Sequence, residues 1–402
     1  MKHRIVVLGA GYAGATAAGR LARRLDPAGV EITLVNADPW FVERVRLHQL
    51  ATGQAIEPRA LDELVAGTGV RVRVARVTAV DPARRTVAVA EAAGEAELGY
   101  DTLVYALGSA AADLGVPGVA EHAFDVAGLR SASRLRDRLA DLPAGAAVLV
   151  VGGGLTSIEA ATEIADARPD LSVALAARGG LGDWLGEKAR RHLRAGVDRL
   201  GVTVHEHTEV VRVDPDGAAT ADGGRIPAAV TVWATGFTVD PIARASGLEV
   251  DPAGRIVVDD SLRSVSHPDV YAVGDAAHAP GAGGRTLRMS CASGVPAAQH
   301  AADAIAARLT GRPVPPNTVG YTAQCISLGR HDAVVQWVTR DDRPKPSALT
   351  GRSAVRVKEL ICKVAAWTVA HPTAMVPARR RRVVAGGPQP VRDDACEAPR
   401  RG

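Results

Sequence analysis

The chain has 402 residues, 47% of them apolar and 23% charged, enough for two or three ordinary cores, and no stretch nears the ~18 uninterrupted apolar residues of a membrane span. Its net charge of +4 is matched by the segment from Arg379 onward, with seven arginines and three acids, so the body is neutral and no nucleic-acid partner is expected. Four cysteines, Cys291, Cys325, Cys362 and Cys396, lie too far apart for a local redox pair or a zinc knuckle, and no metal site is expected.

Residues 4–14, RIVVLGAGYAG, read as a buried strand, a glycine turn and a helix. The run IVVL is therefore fold rather than a leader, which favours a cytoplasmic location. Gly9, Gly11 and Gly14 have the G-x-G-x-x-G spacing: the first turns the chain off its strand, the second lets backbone approach a pyrophosphate, and the third lets helix and sheet pack closely. Tyr12 and Ala13 stand inside that turn. A second strand is expected over 31–35, followed by Asn36 where a dinucleotide fold usually has an acid for ribose hydroxyls. Asn36 either replaces that acid, with Asp38 nearby, or only begins a turn into Pro39. The segment 40–53, WFVERVRLHQLATG, sets Glu43, Arg44, Arg46 and His48 on an otherwise apolar helical period. They form either a solvated face or charge directed at a bound cofactor.

Short strands are expected at 70–74, 86–90 and 103–107, the last running into YALGSA with Ala106 and Gly108. The pattern then begins again. VLVVGGGLTS supplies Gly152, Gly154, Leu155, Thr156 and, in place of a third glycine, Ser157. A strand over 171–177 follows, and a later one ends WATGF with Gly236. Two copies of about 130 residues with the same order of motifs imply an internal duplication and two dinucleotide sites. The second copy has no acid after its second strand but Ala176-Ala177-Arg178, which leaves room for a 2′-phosphate and favours NADPH or tolerance of both nucleotides.

The run HPDVYAVGDAAH then delivers Asp275 after a strand over 270–273. By residue physics alone Asp275 reads as a helix N-cap. A loop and an alanine-rich helix cover 286–309, strands are expected at 323–328 and 333–338, and a helix at 354–368 places Leu360, Ile361, Val364 and Trp367 on one side, which usually means core and less often a groove for a membrane surface or partner. From Pro372 onward proline, arginine and small residues dominate, and disorder is expected.

With GAGYAG, GGGLTSIE, WATGF and AVGDAAH in this order, the chain resembles the two-dinucleotide FAD/NAD(P)-dependent pyridine nucleotide oxidoreductases, and more narrowly type II NADH dehydrogenase-like enzymes. The resemblance covers about residues 3–370. It implies an α/β fold with two Rossmann-like βαβ domains and a small α+β domain. The flavin domain would be discontinuous (1–112 and 246–314), the NAD(P) domain inserted (113–245), the C-terminal domain 315–371, and 372–402 a basic tail. The implied FAD ligands are Gly9, Gly11, Tyr12, Ala13, Gly14, Asn36, Ala106, Gly108 and Asp275; those of NAD(P)H are Gly152, Gly154, Leu155, Thr156, Ser157, Glu159, Arg178 and Gly236. No side chain is fixed as catalytic. Glu159, Arg46, His48 and Gln299 are candidates near flavin or nicotinamide, with Arg288 and His300 as weaker ones.

Two departures matter. Residues 40–53 contain no cysteine pair, which disfavours disulfide and sulfide chemistry. The A-Q-x-A-x-Q step associated with quinone docking reads Ala298-Gln299-His300-Ala301-Ala302-Asp303 here, the first glutamine kept and the second replaced by an acid, which disfavours a membrane quinone as acceptor. The expected activity is hydride transfer from NAD(P)H to FAD and onward to a quinone-like or small soluble acceptor. The alternatives are reduction of an electron carrier such as a ferredoxin, or a redox-switched flavoprotein with a binding role. Weak peripheral contact with the inner face of a membrane, through the Trp367 helix and the arginine run, and a homodimer are left open.

Overall fold

The computed structural model describes residues 1–372 and 380–384. Its centre is a parallel sheet of five strands in the order Val270–Ala272, Thr102–Tyr105, His3–Leu8, Val30–Asn36, Arg71–Val74. The glycine-turn strand His3–Leu8 lies in the middle, paired in parallel with Val30–Asn36 on one side and Thr102–Tyr105 on the other. Both faces are covered, which is why the strands read as continuous apolar runs rather than alternating ones. Helices Tyr12–Arg24 and Cys291–Leu309 pack together over the sheet, and a three-stranded meander, Arg76–Asp81, Thr86–Glu91 and Gly94–Gly99, follows the edge strand.

The second copy repeats the plan in the order Ala123–Phe124, Val230–Trp233, Ala147–Val151, Ser172–Ala176, Thr203–His205. It has its own glycine-turn helix, Leu155–Ala167, and its own meander, Val210–Asp214, Gly217–Thr220 and Arg225–Pro227. One difference separates the copies: the edge strand beside the YALGS or WATGF strand is the last of its sheet's strands in chain order in the first copy and the first in the second. The two chain crossings between the sheets pair antiparallel, Ala110 with Thr238 and Ala111 with Phe237. A third unit sets an antiparallel sheet, Ala323–Ser327, Ala333–Val338 and Pro344–Thr350, against helix Arg352–Ala370.

Several expectations need correction. Asp275 caps no helix, because Gly274–Ala276 is a single 3-10 turn and the next α-helix starts only at Cys291. Leu360, Ile361, Val364 and Trp367 are exposed rather than core, each by 41–61%; the helix instead buries Ala354, Lys358, Ala366 and Val369. The strand Pro344–Thr350 was not expected, since its two prolines argue against a central strand; it occupies an edge of its sheet. The disorder expected from Pro372 onward does not hold for the described part of that segment. Arg20 Nη1 donates to the Pro372 carbonyl at 2.8 Å, and Arg381 exchanges backbone bonds with Arg24 and Asp26 at 3.0 and 2.8 Å. The rest of the expected tail, 373–379 and 385–402, lies outside the described residues.

Candidate functional site

The first glycine turn has the geometry its spacing demands. Gly9 sits at φ +90°, and a Cβ there would stand 2.3 Å from the Ala106 carbonyl oxygen. A Cβ on Gly14 would stand 1.8 Å from the Gly9 carbonyl oxygen and 3.3 Å from the Ala106 methyl. Only glycine lets these three segments close on one another. Gly11 differs: nothing lies within 4 Å of its Cβ position, so the turn leaves an open cradle at the first helix amides. Asn36 Oδ1 accepts the Ala10 amide at 2.9 Å and its Nδ2 donates to the Asp38 carbonyl at 2.7 Å. The amide thereby ties the second strand's end to the turn.

Asp275 is brought to this cradle by Gly274, at φ +70°, whose Cβ position is 3.0 Å from the Ala13 methyl. Gly294, on helix Cys291–Leu309, lies against Gly274 in turn, its Cβ position 3.5 Å from the Gly274 Cα. Ser109 donates its hydroxyl to Asp275 Oδ2 at 2.6 Å, and the Arg44 guanidinium stands 3.8 Å from the same oxygen and 5.8 Å above the Phe237 ring. Ser109 was not singled out by sequence, and Arg44 was named only as one of the charges of segment 40–53; their meeting with Asp275 marks them. The buried Tyr12 hydroxyl has no hydrogen-bond partner among the described residues. The open glycine cradle at the free amides of the helix start fits an anionic ligand.

The second turn repeats the first. Gly152 sits at φ +138°, its Cβ position 2.4 Å from the Ala234 carbonyl oxygen and 3.2 Å from the Ser157 Cβ, whereas nothing lies within 4 Å at Gly154. Ser157 is fully buried and donates to the Gly154 carbonyl at 2.7 Å, so it fills the place of the third glycine and pins the turn. Gly236 also faces open space, and the Thr235 hydroxyl before it is buried without a partner among the described residues. Leu155 lines a cleft of about 410 Å³ with Trp184, Arg285, Arg288 and Tyr321. Arg178, at the end of the second strand, is 80% exposed, 4.0 Å from Glu209.

Between the copies and the C-terminal unit lies a buried polar cluster. Glu159 Oε1 accepts the Ser327 amide at 2.9 Å, the Ser327 hydroxyl at 3.0 Å and the Lys358 ammonium. Lys358 also donates to Ser327 Oγ at 2.8 Å, and His48 Nε2 is 3.4 Å from the same hydroxyl. Burial pushes the Glu159 carboxyl up, but the Lys358 charge and the bonds from Lys358 and Ser327 outweigh it and hold the group below the usual carboxylate range. Burial drives His48 down to about 4, so it is neutral near pH 7.

The remaining candidates are placed as follows. Arg46 is not in this cluster: it pairs with Glu43 at 3.1 Å and Glu359 at 2.8 Å on the wall of an outer groove. Neither arrangement weighed for segment 40–53 holds whole, since His48 is sealed and Arg46 is locked in ion pairs. Gln299 is half-buried, His300 lies 2.8 Å from the Asp260 carbonyl, and Arg288 pairs with Asp342 at 2.5 Å while stacking 4.5 Å from the Tyr321 ring. Asp303, in the second-glutamine position, bridges Arg20 at 2.6 Å and Arg24 at 2.9 Å. The described cysteines are free, and burial pushes Cys291 to about 11 and Cys325 to about 12, so neither offers a thiolate near neutral pH.

The family model described as pyridine nucleotide-disulphide oxidoreductase matches residues 3–304. The chain belongs to that family. It is 33% identical to an NADH dehydrogenase-like protein of Mycobacterium tuberculosis, over 82% of this chain and 87% of that one. It is 28% identical to the type II NADH:quinone oxidoreductase NdhA of the same organism, over 83% and 79%. Among solved structures, NDH2 from Plasmodium falciparum in complex with NADH superposes with a TM-score of 0.77 at 15% identity, covering 94% of this chain and 99% of that one. The expected family and α/β fold are borne out. No helix among the described residues is long and apolar enough to cross a membrane.

Proposed function

We propose that this chain is an FAD-dependent NAD(P)H dehydrogenase that hands its electrons to a quinone-like acceptor. The observation that carries the reading is the doubled nucleotide cradle: two strand–glycine–helix turns, open at Gly11 and Gly154, on sheets joined by paired crossings. Its relatives named as type II NADH:quinone oxidoreductases support the acceptor class.

On this reading 1–112 and 246–314 form the flavin domain, 113–245 the nicotinamide domain and 315–371 the C-terminal domain. Gly9, Gly11, Tyr12, Ala13 and Gly14 hold the FAD pyrophosphate on free helix amides, with Asn36, Ala106 and Gly108 around it. Asp275, held by Ser109, takes the hydroxyls of the flavin chain. Gly152, Gly154, Leu155, Thr156, Ser157 and Gly236 serve the second nucleotide. Glu159 stands at its inner end, and exposed Arg178 accepts a 2′-phosphate. The chemistry supplied by the two nucleotides is hydride transfer between nicotinamide and flavin and onward electron transfer. The protein positions them, excludes water, and keeps the buried Glu159 carboxylate compensated by Lys358. The exposed apolar row Leu360, Ile361, Val364 and Trp367, with the arginines from Arg379, supports weak contact with an anionic membrane surface.

The test is the visible spectrum of purified protein, an anaerobic titration with NADH and NADPH, and turnover with menadione. A yellow protein bleached by either nucleotide and reoxidised by menadione is expected. A colourless protein that takes up no added FAD refutes the reading.

A further inference from the structure

Glu163 lies one helical turn beyond Glu159 on helix Leu155–Ala167, and nothing in the nucleotide sites uses it. Its side chain is 1% exposed. Oε1 accepts from Gln54 Nε2 and pairs with Arg330 Nε at 3.0 Å, while Oε2 is sealed and has no hydrogen-bond partner among the described residues. On its outer side Arg330 is 47% exposed, and Gln54 lines a groove of about 660 Å³ beside Arg46, Glu359 and Trp367. On its inner side, one turn back, is the Glu159, Ser327 and Lys358 cluster. A carboxyl buried with one oxygen unpaired is costly unless it changes protonation state, which sets Glu163 apart from a simple structural ion pair.

Reducing a quinone to a quinol takes two electrons and two protons. A hydride from the nicotinamide carries two electrons and one proton, so one more proton must come from solvent. We propose that Glu163 is the residue through which this solvent proton enters the Glu159–Ser327–Lys358 cluster, arriving past Gln54 and Arg330. In each cycle Glu163 takes one proton from the groove side and gives one to the cluster, and the cluster releases one to the acceptor as it becomes quinol, so Glu163 and the cluster both return to their starting states. The inference rests on the quinone-reductase reading above.

The charges facing Glu163 suit that task. Burial raises its carboxyl to about 7; Arg330, from the loop after strand Ala323–Ser327, and Lys358, from the last helix, oppose the rise, while Asp166 and Glu159 on its own helix add to it. Glu159 is held ionised and His48 neutral near pH 7. Of these three groups, Glu163 is the one that titrates near neutrality.

The experiment compares NADH-driven turnover of the flavin-loaded protein with menadione, which needs protons, and with ferricyanide, which takes electrons alone. In Glu163→Gln the ratio of menadione to ferricyanide turnover falls at least about tenfold, the lower range for loss of a positioned proton donor. The alkaline decline of menadione turnover centred near pH 7 disappears. Arg330→Gln removes an opposing positive charge, so it moves that decline to higher pH and carries the test if Glu163→Gln does not fold. A ratio equal to the parent's, whether both rates hold or fall together, overturns the inference, as does a decline unmoved in both variants. A parent that reduces ferricyanide but no quinone overturns the function reading itself, and is told apart by needing no variant.

Discussion

Replacing Lys358 with methionine keeps most of its volume and removes the cation that faces Glu159. In the parent, Lys358 binds Glu159 Oε1 and Ser327 Oγ, and the two side chains are only 10% and 7% exposed. At ion-pair contact and an effective dielectric of about 20 the attraction is about 5 kcal/mol. Removal of one partner of a buried pair costs about 3–5 kcal/mol because the other is left uncompensated. The loss depends on pH. In the parent the Glu159 carboxyl lies below its ordinary value of 4.5, so its contribution is present above that value and fades as pH falls through the lower, folded one. In the variant burial is no longer outweighed and the carboxyl moves up, so folded Glu159 takes a proton that the unfolded chain has already lost. The destabilisation is therefore present at pH 5, where the variant already lacks the parent's favourable contribution, and larger at pH 8. Urea denaturation at both pH values measures it, and Glu159→Gln in the Lys358→Met background should return most of the loss at pH 8. Equal stability of parent and Lys358→Met at pH 8, a pH-independent loss, or no recovery in the double variant refutes the assigned pairing.

Gly11→Val should fold and lose flavin, because its Cβ position is open, whereas Gly9→Ala meets a carbonyl at 2.3 Å in a left-handed turn and should cost stability itself, by more than about 1 kcal/mol; equal melting temperatures for the two would contradict this. Asp275→Ala removes the acceptor of the Ser109 hydroxyl and should weaken FAD retention about tenfold or more, read by flavin release on dilution; unchanged retention returns Asp275 to a structural role. Arg178→Ala should raise KM for NADPH about tenfold, the scale of one charge-assisted phosphate contact, with little change for NADH; equal effects on both nucleotides would remove the 2′-phosphate assignment.

The two glycine turns were legible in sequence because backbone sterics admit few residues where a strand reverses directly into a helix. Gly9, Gly14 and Gly152 leave no room for a Cβ, and that restriction is local. The duplication was legible for the same reason, being a repeated order of local signals. Asn36 was readable only as a choice between two roles, since hydrogen bonds to Ala10 and Asp38 belong to the turn's exact path. The last helix misled because an apolar row at helical spacing says that a face is apolar, not that something covers it.

What the chain alone determined, then, is the strand–turn–helix units and their order, for these depend on neighbours within a few residues. What only tertiary structure decided is the chemistry between them. Arg44 reaches Asp275, Lys358 reaches Glu159 and Arg330 reaches Glu163 across separations that carry no periodic or motif signal. Charge interactions act through space and depend on burial, so a lysine on an amphipathic helix reads as solvated until the fold closes over it and leaves a single carboxylate as its partner.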